Sequence, residues 1–318
     1  MTLLGKVTEQ SLFFSGDTAQ TITKGGTFRF KDLGSLFALQ EGLVLQQPCI
    51  KQLLVNYRSH QKILTLANCV VRIIELLFPK TIDKLSREVT NNPDGPIPIV
   101  LLNPCLEDIV NALVAAERSD KGEVTFGYGQ VVLVPDETAR KHLPPILKGA
   151  LCLTIYESKG LEFDDVILFE FFANCGVGED EWKLLRDILY DERGTIAVDI
   201  YATDWKPKCL ATFDAVKHAA LCSALKMLYV AITRTKEKFI IYDQSPFAHF
   251  LLDYMIEKGI VTPVAPRDSG LRTDLHSTIQ SEQGRTLWRN QGVKMMKMKF
   301  YAQAAICFTH AQDDLLRV

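Results

Sequence analysis

The 318-residue chain has no strong excess of charge: 36 Lys and Arg face 38 Asp and Glu, a net charge of −2. No global positive field advertises nucleic acid, so any contact with it must be a local groove. There is no C-x-x-C pair among the eight cysteines (Cys49, Cys69, Cys105, Cys152, Cys175, Cys209, Cys222, Cys307). That argues against a zinc site or a disulfide frame and for reduced thiols in a nuclear or cytoplasmic protein. The basic start and apolar core of a signal peptide are missing. So is any uninterrupted apolar run of the ~18–20 residues a membrane helix needs; the best candidate, 63–78, is broken by Asn68, Arg72 and Glu75. What is left, 47% hydrophobic and 23% charged residues, is ordinary globular composition. The length allows two domains, or one with an appendage.

Apolar patterning predicts alternating strands and helices. Leu12–Phe14 reads as a strand delivering Asp17 and Gln20 at its end, and 34–47 as a helix. Leu53–Val55 reads as a strand. Ser59 is a candidate N-cap for a helix whose Ile63, Leu66, Ala67, Val70, Ile74 and Leu77 share one face. Further strands are expected at 97–102, 130–134 and 166–172, and a helix at 106–118. A helix is plausible at 181–190, another is expected over 223–236, and a strand over 239–242. Ser245-Pro246 opens a helix to about 258. The alternation from 53 to 172 indicates a mostly parallel sheet with helices on its faces. Residues 261–269 read as a linker, and the tail from 282 as helical.

The stretch Cys152–Phe163 holds the densest chemistry. An apolar strand ends in Ser158-Lys159-Gly160-Leu161-Glu162, and a second apolar run follows. Backbone N–H groups near a glycine can approach an anion, a lysine adds charge, and a carboxylate can accept from sugar hydroxyls. A phosphate or ribose site and a merely solvated turn both remain open. Tyr57 and Arg58 stand at a strand-to-helix junction, where an aromatic can stack on a base and an arginine can reach a phosphate. A packed Tyr and a surface Arg are the alternative.

Four stretches stand in order: Gly16-Asp17-Thr18-Ala19-Gln20-Thr21-Ile22, Asn56-Tyr57-Arg58-Ser59, Thr154 through Phe163, and Leu228 through Thr235. The set resembles motifs III to VI of the UvrD/Rep-like superfamily 1 helicases, over about residues 10–243. Within that group it is similar to the helicase-like module of large TPR and ankyrin repeat-containing proteins, through Phe28–Leu33, Leu36-Phe37 and Phe171-Phe172. The resemblance implies a RecA-like, P-loop NTPase-type parallel sheet, with ATP and Mg as cofactors and DNA, or RNA, as partner. It implies that Gln20 senses the γ-phosphate, Tyr57 stacks on adenine, Arg58 and Arg234 reach the γ-phosphate, and Glu162 binds the ribose. Asp17, Lys159 and Gly160 accompany them as nucleotide-side residues. An arginine serving only as such a finger is expected to tolerate lysine in folding but not in turnover.

The departures from that pattern are expectations too. A G-x-x-x-x-G-K-[ST] loop and a DEx motif are absent, so the chain reads as the C-terminal half of such a module, inactive by itself. Tyr156 stands where a histidine is usual, and Thr23-Lys24-Gly25-Gly26 replaces an aromatic run. In the tail, Trp288, Gly292, Ala304, Phe308 and Ala311 have tetratricopeptide spacing, which implies protein partners. The expected organisation is 1–47, the end of a first RecA-like domain; 48–250, a second; 251–281, a linker; and 282–318, an all-α TPR-like repeat. An ATP-dependent DNA helicase is the leading reading, and a non-catalytic scaffold with TPR repeats its alternative.

Overall fold

A computed structural model describes residues 14–22, 29–32, 50–84, 86–101, 126–191, 193–196, 213–264 and 282–313. The expected helices at 34–47 and 106–118, most of the expected strand at 12–14 and the run Thr23–Gly26 lie outside the described residues.

The described strands are β1 (Val55–Asn56), β2 (Val89–Thr90), β3 (Ile99–Leu101), β4 (Gln130–Val134), β5 (Cys152–Thr154), β6 (Phe163–Phe169), β7 (Thr235–Tyr242) and β8 (Thr262–Val264). The helices are α1 (Gln61–Leu77), α2 (Glu137–Lys141), α3 (Phe171–Asn174), α4 (Glu179–Leu189), α5 (Ala219–Ile232), α6 (His249–Glu257), α7 (Glu282–Lys297) and α8 (Tyr301–His310). Among the described residues six strands make one sheet in the order β5-β4-β6-β7-β3-β8, every pair parallel. The chain is thus a mixed α/β protein built on a parallel sheet.

A parallel sheet is covered on both faces, and its central strands show it. In β6, Val166 and Leu168 enter one apolar cluster while Ile167 and Phe169 enter the other. That is the two-residue alternation of a strand with core on each side. Helix α5 is apolar nearly all round and buried without a break from Ala224 to Ile232, as a helix packed between other layers must be. Its one buried cation, Lys226, donates to the Thr81 carbonyl at 3.0 Å, because an unpartnered buried ammonium would be costly.

Several expectations need correction. The runs at 152 and 163 are not neighbours: both pair with β4, which lies between them. Strand β1 is outside the main sheet, paired with β2 alone. Phe171 and Phe172 belong to α3, not to a strand. Ser59 does not cap α1. His60 does, its Nδ1 accepting from the Lys62 amide at 3.2 Å, while its Nε2 donates to the Glu237 carbonyl at 2.7 Å. The Ser59 hydroxyl instead donates to the Thr235 carbonyl at 2.5 Å. Residues 251–264 are not linker, since α6 and β8 extend the sheet unit to Val264. Nor do the described residues of the first stretch stand apart. Ala19 and Ile22 are buried in the larger core cluster, and the Tyr156 hydroxyl donates to the Ile22 carbonyl at 2.8 Å.

The tail is helical, as expected. Helices α7 and α8 form a hairpin with Trp288, Ala304, Phe308 and Ala311 buried. A Cβ on Gly292 would sit 2.5 Å from the Phe308 ring, so only glycine admits that close approach. The hairpin docks on the sheet unit. Trp288 meets Tyr128 edge to face, with ring centroids 5.9 Å apart, and the stacked His310 bonds the Gly149 carbonyl at 2.8 Å.

Candidate functional site

Four segments meet at the starting ends of β6 and β7. The first is a 3₁₀ turn, Thr18–Gln20, opened by Asp17, whose Oδ1 accepts from the Ala19 amide at 2.9 Å. The second is the junction between β1 and α1. There Asn56 Oδ1 accepts from the amides of Arg58 and Ser59 at 2.8 and 3.0 Å. This side-chain-made turn aims Arg58 at the starting ends of β6 and β7. The third is the turn before β6, where Gly160 has the left-handed φ of +79° that favours glycine. The fourth is the turn from α5 into β7. It places Arg234 just past the helix rather than within it, because β7 begins at Thr235 and not at Phe239.

Asp17, Gln20, Arg58, Glu162 and Arg234 come together here. Asp17 Oδ2 accepts from Gln20 Nε2 at 2.8 Å and from the Tyr229 hydroxyl at 2.9 Å. Gln20 Oε1 accepts from Arg234 Nη2 at 3.0 Å. Arg234 is 2% exposed. It also donates to the carbonyls of Val230 and Leu161, each at 3.1 Å, and to Thr233 Oγ1 at 3.1 Å. Arg58 lies above it, donating to Glu162 at 2.7 Å and to the Thr233 carbonyl at 3.0 Å. Lys236 Nζ reaches Glu162 at 3.3 Å and Asp164 at 3.6 Å. Tyr57 projects into solvent at 79% exposure, and Lys159 and Gly160 stand exposed at the turn outside this network.

The charges explain one another. Burial, and then the charge of Arg58, bring the Arg234 guanidinium down to about 10, still protonated at neutral pH. The hydrogen bond from Arg58 holds the Glu162 carboxyl below its ordinary range, with Lys236 adding to the effect. Burial, and then the Asp17 carboxylate, hold the Tyr229 phenol well above its ordinary value, so it remains a donor. Tyr229, Asn56 and Lys236 were not singled out in the sequence as site residues. Tyr229 read there only as part of a buried helix face. Nothing in a linear pattern says that a core tyrosine keeps its hydroxyl for a carboxylate 212 residues away.

Chemically, the arrangement is a relay of hydrogen bonds ending in a buried guanidinium, beside a second, half-exposed guanidinium neutralised by a carboxylate. Such a cluster can hold a polyanion if Glu162 yields its place. Among the described residues no three His, Cys, Asp or Glu side chains gather as a metal-binding group.

The fold and site thus define an α/β protein with an arginine-centred polar cluster at the amino ends of the central strands of its sheet. The chain is similar to the human protein "TPR and ankyrin repeat-containing protein 1", 37% identical over 249 residues, which is 74% of this chain and 8% of that protein. No family model matches the chain. No described helix is long and apolar enough to cross a membrane.

Proposed function

We propose that this chain is a helicase-like α/β module acting as a non-catalytic scaffold, which meets protein partners through helical repeats of which α7 and α8 form one. The burial of Arg234 carries this reading. At 2% exposure its guanidinium is committed to Val230, Leu161, Thr233 and Gln20, a set of bonds that holds the fold together. Similarity to a protein named for TPR and ankyrin repeats supports it, as does the burial of the residues at tetratricopeptide spacing in the tail. On this reading 48–264 is one RecA-like unit, 14–22 is seated on it, and 282–313 begins a repeat array.

A second reading, an ATP-dependent helicase acting on DNA or RNA, is favoured by the convergence of Asp17, Gln20, Arg58, Glu162 and Arg234. Arg58 and Arg234 would hold the phosphates of a magnesium nucleotide, Glu162 its ribose, and exposed Tyr57 its base. Bound there, ATP would supply the phosphoryl group. Arg58 would exchange its Glu162 partner for phosphate oxygens and stabilise their charge.

Nucleotide binding and phosphate release by the chain, with and without single-stranded DNA, separate the two. The scaffold reading expects neither to depend on Arg58. DNA-stimulated turnover, or saturable binding of a fluorescent ATP analogue that Arg58→Ala removes, overturns it.

A further inference from the structure

Beside the main sheet, β1 and β2 form a ribbon of two parallel strands, and its two edges differ. The β2 edge is closed. The Glu88 amide donates to Asn68 Oδ1 at 3.2 Å and the Glu88 carbonyl accepts from Asn68 Nδ2 at 3.1 Å, so α1 covers it. The β1 edge is open. The Val89 amide donates to the Leu54 carbonyl at 3.0 Å, and Val55 pairs with Val89. The Gln52 side chain keeps the chain alongside, donating to the Lys84 carbonyl at 2.7 Å and accepting from the Ser86 amide at 3.2 Å. Leu54 and Asn56 thus turn their backbone groups toward β2. Those of Leu53 and Val55 turn outward, because successive residues of a strand face opposite ways. They have no hydrogen-bond partner among the described residues.

An edge of this kind is normally blunted by a proline, a bulge or charges. Pro263 does this for β8, at one edge of the main sheet. The run 51–56, KQLLVN, carries only a lysine at its start. Its side chains are apolar and bare: Leu53 is 92% exposed, and Ile50, Leu54, Val55 and Tyr57 are exposed with it. Together they leave open about as much surface as three whole large side chains, roughly 500 Å² at ~150–200 Å² apiece. Two copies would bring together on the order of 1,000 Å², the size at which specific interfaces begin.

We propose that this edge pairs with the same edge of a second copy, antiparallel about Leu54, to make a four-stranded β2-β1-β1-β2 sheet. The register is self-complementary. Leu53 of each copy faces Val55 of the other, and each such pair exchanges two backbone hydrogen bonds, so every outward N–H and C=O of Leu53 and Val55 is satisfied. Gln52 faces Asn56. Lys51 faces Tyr57, where an ammonium can lie against an aromatic ring. Leu54 meets its own counterpart on the two-fold axis. Two-fold symmetry consumes both open edges, so assembly stops at the dimer. The pairing rests on neither reading of the Arg58–Arg234 cluster.

Sedimentation velocity of the intact chain over a dilution series should show a reversible monomer–dimer equilibrium. Leu53→Lys sits at a position too exposed to matter for folding. It should weaken the dimer at least tenfold, with an unchanged melting temperature in the dilute, monomeric range. Val55→Pro removes an outward N–H that the ribbon does not use and should weaken the dimer likewise. Leu54→Cys should form an intermolecular disulfide that the wild type lacks, because Cα atoms ~4.5 Å apart lie within bridging range. Gln52→Cys, four residues out of register with its counterpart, should not. A chain monomeric throughout the series, growth beyond the dimer, a dimer untouched by Leu53→Lys, or bridging at 52 as readily as at 54 overturns the proposal.

Discussion

Arg234 Nη2 donates to Gln20 Oε1 at 3.0 Å across 214 residues of sequence. This bond ties the turn at 18–20 to the turn between α5 and β7, so a residue expected to serve a ligand also serves the fold. That decides how its substitutions behave.

Arg234→Ala should destabilise the chain by roughly 3–5 kcal/mol, the range for removing one partner from a buried charged network. It strands the carbonyls of Val230 and Leu161 and the Gln20 amide. Arg234→Lys should also lower the melting temperature, against the sequence-based expectation, because a single ammonium cannot meet acceptors placed for a planar fork. Chemical denaturation reads both. A lysine variant as stable as the wild type would show that these bonds contribute little.

The Arg58–Glu162 pair behaves differently, since its side chains are 35% and 44% exposed. Solvent screens it, so Glu162→Gln should cost under ~1 kcal/mol, and less in high salt. Glu162 is held below its ordinary 4.5. Its contribution is therefore present above about pH 4.5 and lost as pH falls through the folded value. Stability curves between pH 3 and 6 should be flatter in the variant. Equal slopes would exclude the linkage.

Asp243 runs the other way. Burial pushes its carboxyl from 3.8 to about 7, against the pull of the Ser245 and Phe172 amides that donate to it at 2.8 and 2.6 Å. The folded state then holds a proton that the unfolded chain has released. Its stabilising effect is complete below about pH 4 and lost as pH rises toward 7, by at most ~1.36 kcal/mol per pH unit. Asp243→Asn should remove that slope. A wild-type chain whose stability does not fall over this window, after allowing for the other carboxylates, would refute it.

In the hairpin, alanine at position 292 would normally favour a helix by ~1 kcal/mol. Here its Cβ would meet the fully buried Phe308 ring at 2.5 Å. Gly292→Ala should therefore destabilise, by about 1–3 kcal/mol, and Phe308→Leu in the same chain should recover part of the loss. Hairpin melting followed by Trp288 fluorescence measures it. A stabilised single variant would mean that the helices separate freely.

Much of this protein was legible in its residues. The spacing of Ile63 through Leu77 marked the buried face of α1, the run Gln130–Val134 matched β4 to the residue, and the tail's Trp288-to-Ala311 pattern matched its packing. Local periodicity suffices for these, because burial of one face is decided within a few turns. Strand order was not legible. Parallel partners are distant in sequence, so only the closed sheet reveals that β4 separates β5 from β6. Pro263 read as linker, but its strand lies at the sheet edge, where a proline's missing N–H is tolerated. Gln20, Arg58, Glu162 and Arg234 could be singled out by residue type and order. That Arg234 is buried and fully engaged while Arg58 stays half open was decided by the tertiary structure, because burial and hydrogen-bond partners depend on which distant segments pack beside them.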